Sequence, residues 1–291
     1  MYWLWQRQPQ TSQLANLQPA LEGTTSAIAK ESFQTKPPDT TVVITPDIKF
    51  EGKTSAGYLV VIYSNDFQVI KRANDNGDYS ADLKLSPGLN LLDIVSISQD
   101  LTQNQKKSIT LYYADSPSDE QQTGQTVFAG LVKSIFDTLL SVTTAAGDRN
   151  IRTSKSTEFE IPDKEEQQST ESAVKNVRIG DYAIALGNFP ENSKDKDTII
   201  SQSLEIIRDN KPQNTEEFIT GKIISNVKNN LFSVKNNKDG KIIEFALNKD
   251  SNISVDGKNA KTTDVTKDKT AIFIFHQSDD KNIADLIYLT P

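Results

Sequence analysis

Cysteine is absent and histidine occurs once, at His276. The first absence removes disulfide scaffolds, thiolate zinc sites and cysteine catalysis, and the second removes multi-histidine metal centres. No stretch approaches the roughly 20 consecutive apolar residues that a spanning helix requires. Positive charge is not in excess either, since the chain carries a net charge of −7. A broad nucleic-acid surface needs clustered lysine and arginine to displace counterions, so nucleic acid is not an expected partner. No Gly-rich phosphate loop, dinucleotide fingerprint, metalloprotease helix or nucleophile elbow occurs. What remains is 291 residues, enough for two or three separate cores.

The acidity is local. Residues 116–220 hold 18 acidic against 11 basic side chains, and the excess lies largely in 158–171 and 191–197. Acidic runs of this kind read as a solvated face rather than as a cation site.

The chain opens Met1-Tyr2-Trp3-Leu4-Trp5 and turns polar at Gln6-Arg7, so both tryptophans fall in five residues. Aromatic residues followed by Gln-Arg have the composition of a helix end at a membrane headgroup boundary. A membrane tether is one reading of Tyr2, Trp3, Leu4 and Trp5, with the chain starting inside a former anchor. The same residues also suit an arm that docks on another subunit, or a frayed terminus. Residues 6–40 are rich in Gln, Thr, Ser, Ala and Pro and end in Lys36-Pro37-Pro38-Asp39. That composition buries little and favours extended backbone, which predicts a spacer over 1–40.

From residue 41 to 114 short β segments recur between turn residues. Tyr58–Tyr63 is a continuous apolar run suited to a central strand, while Tyr79–Leu85 alternates. Asn74-Asp75-Asn76-Gly77 reads as a tight hairpin turn, because Asn and Gly tolerate positive φ. The stretch faintly echoes a calcium loop but lacks the downstream bidentate glutamate. About seven strands in some 70 residues predict an antiparallel sandwich. Three groups of residues then resemble the bacterial immunoglobulin-like domains of surface proteins: Gly52-Lys53-Thr54 with Val61-Ile62-Tyr63, Asn76-Gly77-Asp78-Tyr79-Ser80, and Leu85-Ser86-Pro87-Gly88-Leu89-Asn90 leading into Asp93-Ile94-Val95. The family's Asp-x-x-Gly-Asn turn is replaced here by Asp100-Leu101-Thr102-Gln103-Asn104. The resemblance implies a spacer or adhesion module without catalysis.

Residues 115–125 read as a polar linker, and the remainder carries an internal duplication. Gly130–Val142 aligns with Gly221–Val234, and Lys155–Ile161 with Lys249–Val255. Val177–Ala185 aligns with Val265–Phe273, and Ile200–Ile207 with Ile283–Leu289. Each copy, 126–210 and 211–291, reads as five or six strands, the size of a small closed barrel. Phe128, Leu131, Val132, Ile135, Phe136, Leu139 and Leu140 also fall at helical spacing. The weak helical period of the aligned copy favours a hairpin there. The opening Gly-x-Ile/Val, the Thr-x-Phe/Ile-x-Val strand and Gly180-Asp181 resemble small barrel domains of unknown function in bacterial envelope proteins. The second copy has Asp268-Lys269 in place of Gly-Asp.

Chemistry-bearing groups are sparse. His276 has Asp279-Asp280 nearby, but no serine is placed to complete a triad, so it reads as a strand-end residue. Glu165-Glu166 and Glu216-Glu217 sit in polar stretches where little desolvation, and so little pKa shift, is expected. Lys222, Lys228, Lys235, Lys238 and Lys241 read as solubilising charges. No catalytic, cofactor or metal residues are assigned, and no enzyme is expected. The expected whole is all-β, an immunoglobulin-like sandwich followed by two repeated barrels with an extended N-terminal arm. It predicts a structural or adhesion-type protein on a bacterial surface, with other envelope proteins or its own copies as partners. A filament subunit assembled through its arm is the alternative. A carbohydrate-binding accessory protein is another, using Tyr182, Phe189 and Phe218.

Overall fold

The computed structural model describes residues 34–115, 125–162, 173–194 and 196–290. Among these the fold is all-β, an immunoglobulin-like sandwich followed by two small barrels. Tyr2–Trp5 and most of the linker lie outside the described residues, and no described helix is long and apolar enough to cross a membrane.

The sandwich begins with β1 (Gln34–Lys36), β2 (Thr41–Val43), β3 (Asp47–Lys53) and β4 (Leu59–Tyr63). It continues with β5 (Gln68–Arg72), β6 (Asp78–Lys84), β7 (Gly88–Ile97) and β8 (Asn104–Tyr113). One sheet has the order β1-β3-β6, and the facing strands run β2-β8-β7-β4-β5. Between them lies a core of Phe50, Val60, Ile62, Leu83, Leu92 and Ile109 with their neighbours. β1 falls inside the stretch expected to be spacer. It pairs antiparallel with β3, whereas β2 pairs parallel with β8 in the other sheet. Pro37-Pro38 lies between them and has no N–H to give to either ladder, which suits a crossing from sheet to sheet. Asp39 then fixes the entry by accepting the Thr110 amide at 2.7 Å. The sandwich therefore starts by residue 34, not 41.

The first barrel comprises β9 (Thr126–Phe136), β10 (Leu139–Thr144), β11 (Gly147–Arg152), β12 (Glu158–Glu160), β13 (Tyr182–Asn188) and β14 (Thr198–Ile207). The helical spacing noted around Phe128–Leu140 is thus a β9–β10 hairpin turning at Asp137, whose φ is 52°. β9, β10 and β11 form a meander, β11 pairs parallel with β14, and β13 closes the ring between β14 and β9. The second barrel repeats this connectivity with β15 (Glu217–Ile223), β16 (Leu231–Asn236), β17 (Ile242–Ala246), β18 (Asn252–Val255), β19 (Lys258–Asn259), β20 (Thr270–Ser278) and β21 (Lys281–Leu289).

The duplication is registered residue by residue. Gly130 opposes Ala183 as Gly221 opposes Ala271, and Phe159 opposes Leu204 as Ile253 opposes Ile287. Where the first copy enters β13 through Gly180 at φ 90°, the second enters β20 through Asp268 at φ 74°. Aspartate tolerates that left-handed region better than most residues, which is how the Gly-Asp signature is lost without losing the turn.

Gly130 and Gly221 are required by close approach. A Cβ on Gly130 would lie 2.2 Å from the Thr143 carbonyl oxygen, and one on Gly221 would lie 2.4 Å from Val234 Cγ1. Gly130→Ala is expected to destabilise the chain by about 3 kcal/mol, because backbone rather than a mobile side chain must give way. Urea unfolding of the variant against the native chain checks this.

Several strands are buried on both faces. Val60 and Ile62 fill the sandwich core, while Leu59, Val61 and Tyr63 of the same strand pack outward. In β20, Phe273 and Phe275 fill the second barrel beside stacked Phe232 and Phe245, while Ile272 and Ile274 point out. The two outward sets meet in one cluster with Val95, Ile97, Leu101, Leu286 and Tyr288. A second cluster joins Val42, Ala114, Leu89 and Tyr112 of the sandwich to Val127, Ala129, Tyr182, Ile184 and Leu186 of the first barrel. At this joint β2 contacts both β8 and β9, so a ladder runs from the sandwich into the barrel. One apolar seam thus binds each barrel to the sandwich.

Candidate functional site

The densest polar cluster in the described residues sits at the edge of the seam between the sandwich and the second barrel. The connecting residues 208–216 run over the β4–β5 turn. Asn65 donates to the Gln213 carbonyl at 2.8 Å and accepts from the Thr215 amide at 2.8 Å. Asn214 reaches the Asp93 carboxylate at 3.3 Å, and Lys106 pairs with the same group at 2.8 Å. Ser108 donates to its other oxygen. Asp93 therefore ties the connector to β7 and β8 through these contacts.

Glu216 sits at the head of β15 and is buried there, contrary to the expectation of a polar loop. One carboxyl oxygen accepts a hydrogen bond from the Gln68 amide, and the other has no partner among the described residues. Burial pushes its pKa up to about 8; the Gln68 bond opposes this, while Asp285 and Asp66 add to it. The acid is thus held neutral at the joint through the acid and neutral pH range. Tyr63, wholly buried nearby, has its phenol pushed up by burial first and by Asp93 second. Across the β20–β21 hairpin, His276 Nδ1 lies 2.7 Å from Asp285. The neighbours read from sequence, Asp279 and Asp280, instead form the hairpin turn at φ 48° and 60°.

The cluster joins the connector to the sandwich and to the second barrel, with its acid and its phenol buried. The departure from the family turn at Asp100–Asn104 has a use here as well. Leu101, at φ 58°, drops into the seam, while Asp100 accepts bonds from Ser98 and Thr102 to hold the loop's shape.

The three aromatics expected for a carbohydrate platform do not share a face. Tyr182 is buried in the first seam and Phe218 packs on the second. Phe189 lies edge-on to Phe128 at 6.3 Å with Lys196 over its ring at 4.2 Å. Asn74–Asp78 is a hairpin turn: the Asn74 side-chain oxygen accepts the amides of Asn76 and Asp78, each at 2.9 Å. No group of three or more metal-ligating side chains is assembled among the described residues. Of the lysines read as solubilising, Lys222 pairs with Asp268 at 2.8 Å on the surface.

An open groove of about 810 Å³ lies along the sandwich and is lined by Thr35, Lys36, Lys53, Asp78, Tyr79 and Lys107 among others. Its ammonium and carboxylate groups are mixed and give no single charge preference. The expected arm, Tyr2 to Trp5, falls outside the described residues, so the structure places none of it beside these features.

No family model matches the chain, and no curated protein matches it significantly. Among solved structures it is similar to drosophila Unr CSD456, at 11% identity and a TM-score of 0.23. That match covers 79% of this chain and 95% of the other. It is also similar to a "Ca2+-stabilized adhesin" that helps an Antarctic bacterium bind ice, at 9% identity and a TM-score of 0.21. Here 86% of this chain and 71% of the adhesin are covered. Both scores lie below the level that establishes a shared fold, and no family follows from them.

Proposed function

We propose that the chain is a non-catalytic protein of the bacterial envelope or extracellular space that presents β modules at the surface in a structural or adhesion role. The observation that carries this reading is the pair of apolar seams. They hold a sandwich and two barrels as one body of fixed geometry, which is what a spacing or presenting element needs. The resemblance of residues 41–114 to bacterial immunoglobulin-like surface domains points the same way. On this reading the partners are other envelope proteins, nucleic acid is not among them, and the N-terminal aromatics serve as a tether or assembly arm. Antibody labelling of intact producing cells, compared with permeabilised cells, tests it. Labelling without permeabilisation is expected, and signal that appears only after lysis would refute a surface location.

A further inference from the structure

β6 ends its sheet, and its outer edge is regular and unpaired. The register with β3, flanked by the Thr54 to Gly77 and Leu85 to Pro46 backbone bonds, assigns the inner hydrogen bonds to Tyr79, Ala81 and Leu83. The amide and carbonyl of Asp78 are both taken by Asn74. That leaves the N–H and C=O of Ser80, Asp82 and Lys84 pointing outward, with no partner among the described residues. No proline or bulge interrupts Asp78–Lys84, and what guards this edge is charge, from Asp78, Asp82 and Lys84. β5, across the open side of the sandwich, is not bonded to β6. Between the two lies a groove of about 400 Å³, lined by Phe67, Val69, Leu83, Leu85 and others.

The charges on this edge are arranged to meet their own copy. Asp78, Ser80, Asp82 and Lys84 share the exposed face, whereas Tyr79, Ala81 and Leu83 face the core. A two-fold pairing centred on Ala81 sets Asp78 of each copy opposite Lys84 of the other, and Ser80 opposite Asp82. Each Ser80–Asp82 pair exchanges both backbone bonds, which gives four in all, and each Asp78–Lys84 pair brings opposite charges together. Neighbouring registers fail: centring on Asp82 opposes two aspartates, centring on Ser80 sets Asp78 against Asp82, and centring on Leu83 overlaps only three strand residues. Lys84 has no ion-pair partner among the described residues, and Asp78 has only Lys53 at 4.0 Å, both side chains being largely exposed.

We propose that the edge of β6 is a self-association surface through which two copies join β6 to β6, antiparallel about Ala81, merging two three-stranded sheets into one of six strands. The occupant is a second copy of this chain. Because the contact is two-fold it closes on itself, and this surface gives a pair rather than a filament.

The test is the solution mass of the full chain by sedimentation equilibrium over a range of concentrations. The native chain should approach twice its 32.3 kDa mass. Lys84→Asp sets like charges opposite each other twice and should weaken association about tenfold or more. The double variant Asp78→Lys with Lys84→Asp exchanges the charges and should restore it. The side chains exchanged are exposed, and a melting curve for each variant confirms folding. A native chain that stays monomeric to about millimolar concentration, where only very weak pairs dissociate, overturns the proposal. So does a dimer that Lys84→Asp leaves intact, or a double variant that is not rescued.

Discussion

Replacing Ile274 with aspartate should detach the second barrel from the sandwich while both stay folded. Ile274 is fully buried, and its side chain points out of the barrel into the seam against Leu59, Val61, Val95 and Tyr288. The barrel core on the other face of β20, built on Phe273 and Phe275, is untouched. An unpaired carboxylate inside that seam costs several kcal/mol, about 3 or more, whereas in an opened seam it costs little. The opened population should therefore rise by about two powers of ten or more. The same change at Phe273 would instead unfold the barrel. Protease cleavage in residues 208–216 reads the opening, and the first barrel's attachment should be unaffected.

Glu216→Gln should make stability far less sensitive to pH on the alkaline side. The unfolded acid titrates near its model value of 4.5, and the buried one near 8. The folded state thus binds more protons than the unfolded state between those values. Native stability must fall as pH rises from about 4.5 and level off past about 8. The full effect is of order 5 kcal/mol, reduced to the extent that the joint relaxes around the charge. Glutamine preserves the acceptor for Gln68 and never ionises, so the difference between variant and native chain should grow with pH through that window. Urea unfolding at pH 5, 7 and 9 measures it, and a difference that stays flat with pH would refute a buried neutral acid at Glu216.

The strands and the repeat were legible in the sequence for physical reasons that can be named. Alternation in Tyr79–Leu85 appears as β6, with Tyr79, Ala81 and Leu83 inward. The alignment of Gly130 with Gly221 holds because both glycines sit where neighbouring backbone or side-chain atoms leave no room for a Cβ. β1 was hidden because three residues of Gln-Thr-Lys carry no periodicity, and their pairing with β3 comes from outside the segment. Glu216 reads as a loop residue in sequence because the groups that surround it, Gln68 and Asp66 among them, lie about 150 residues earlier in the chain. The seams did leave a trace. Leu59–Tyr63, Tyr182–Leu186 and Ala271–Phe275 are apolar at consecutive positions, whereas a strand with one wet face alternates. Such runs report a second buried face. They do not say which surface covers it.

The two seams hold the sandwich and both barrels in one fixed arrangement. The absence of cysteine allows clean spin labelling at introduced cysteines on the exposed turns at Asp75, Ala146 and Lys238, one in each unit. Pulsed dipolar distance measurements on the three label pairs then report whether the units move relative to one another. A single narrow distance distribution for every pair is the predicted result. A broad distribution for either barrel relative to the sandwich would show that barrel moving free of its seam and would rule out a fixed arrangement.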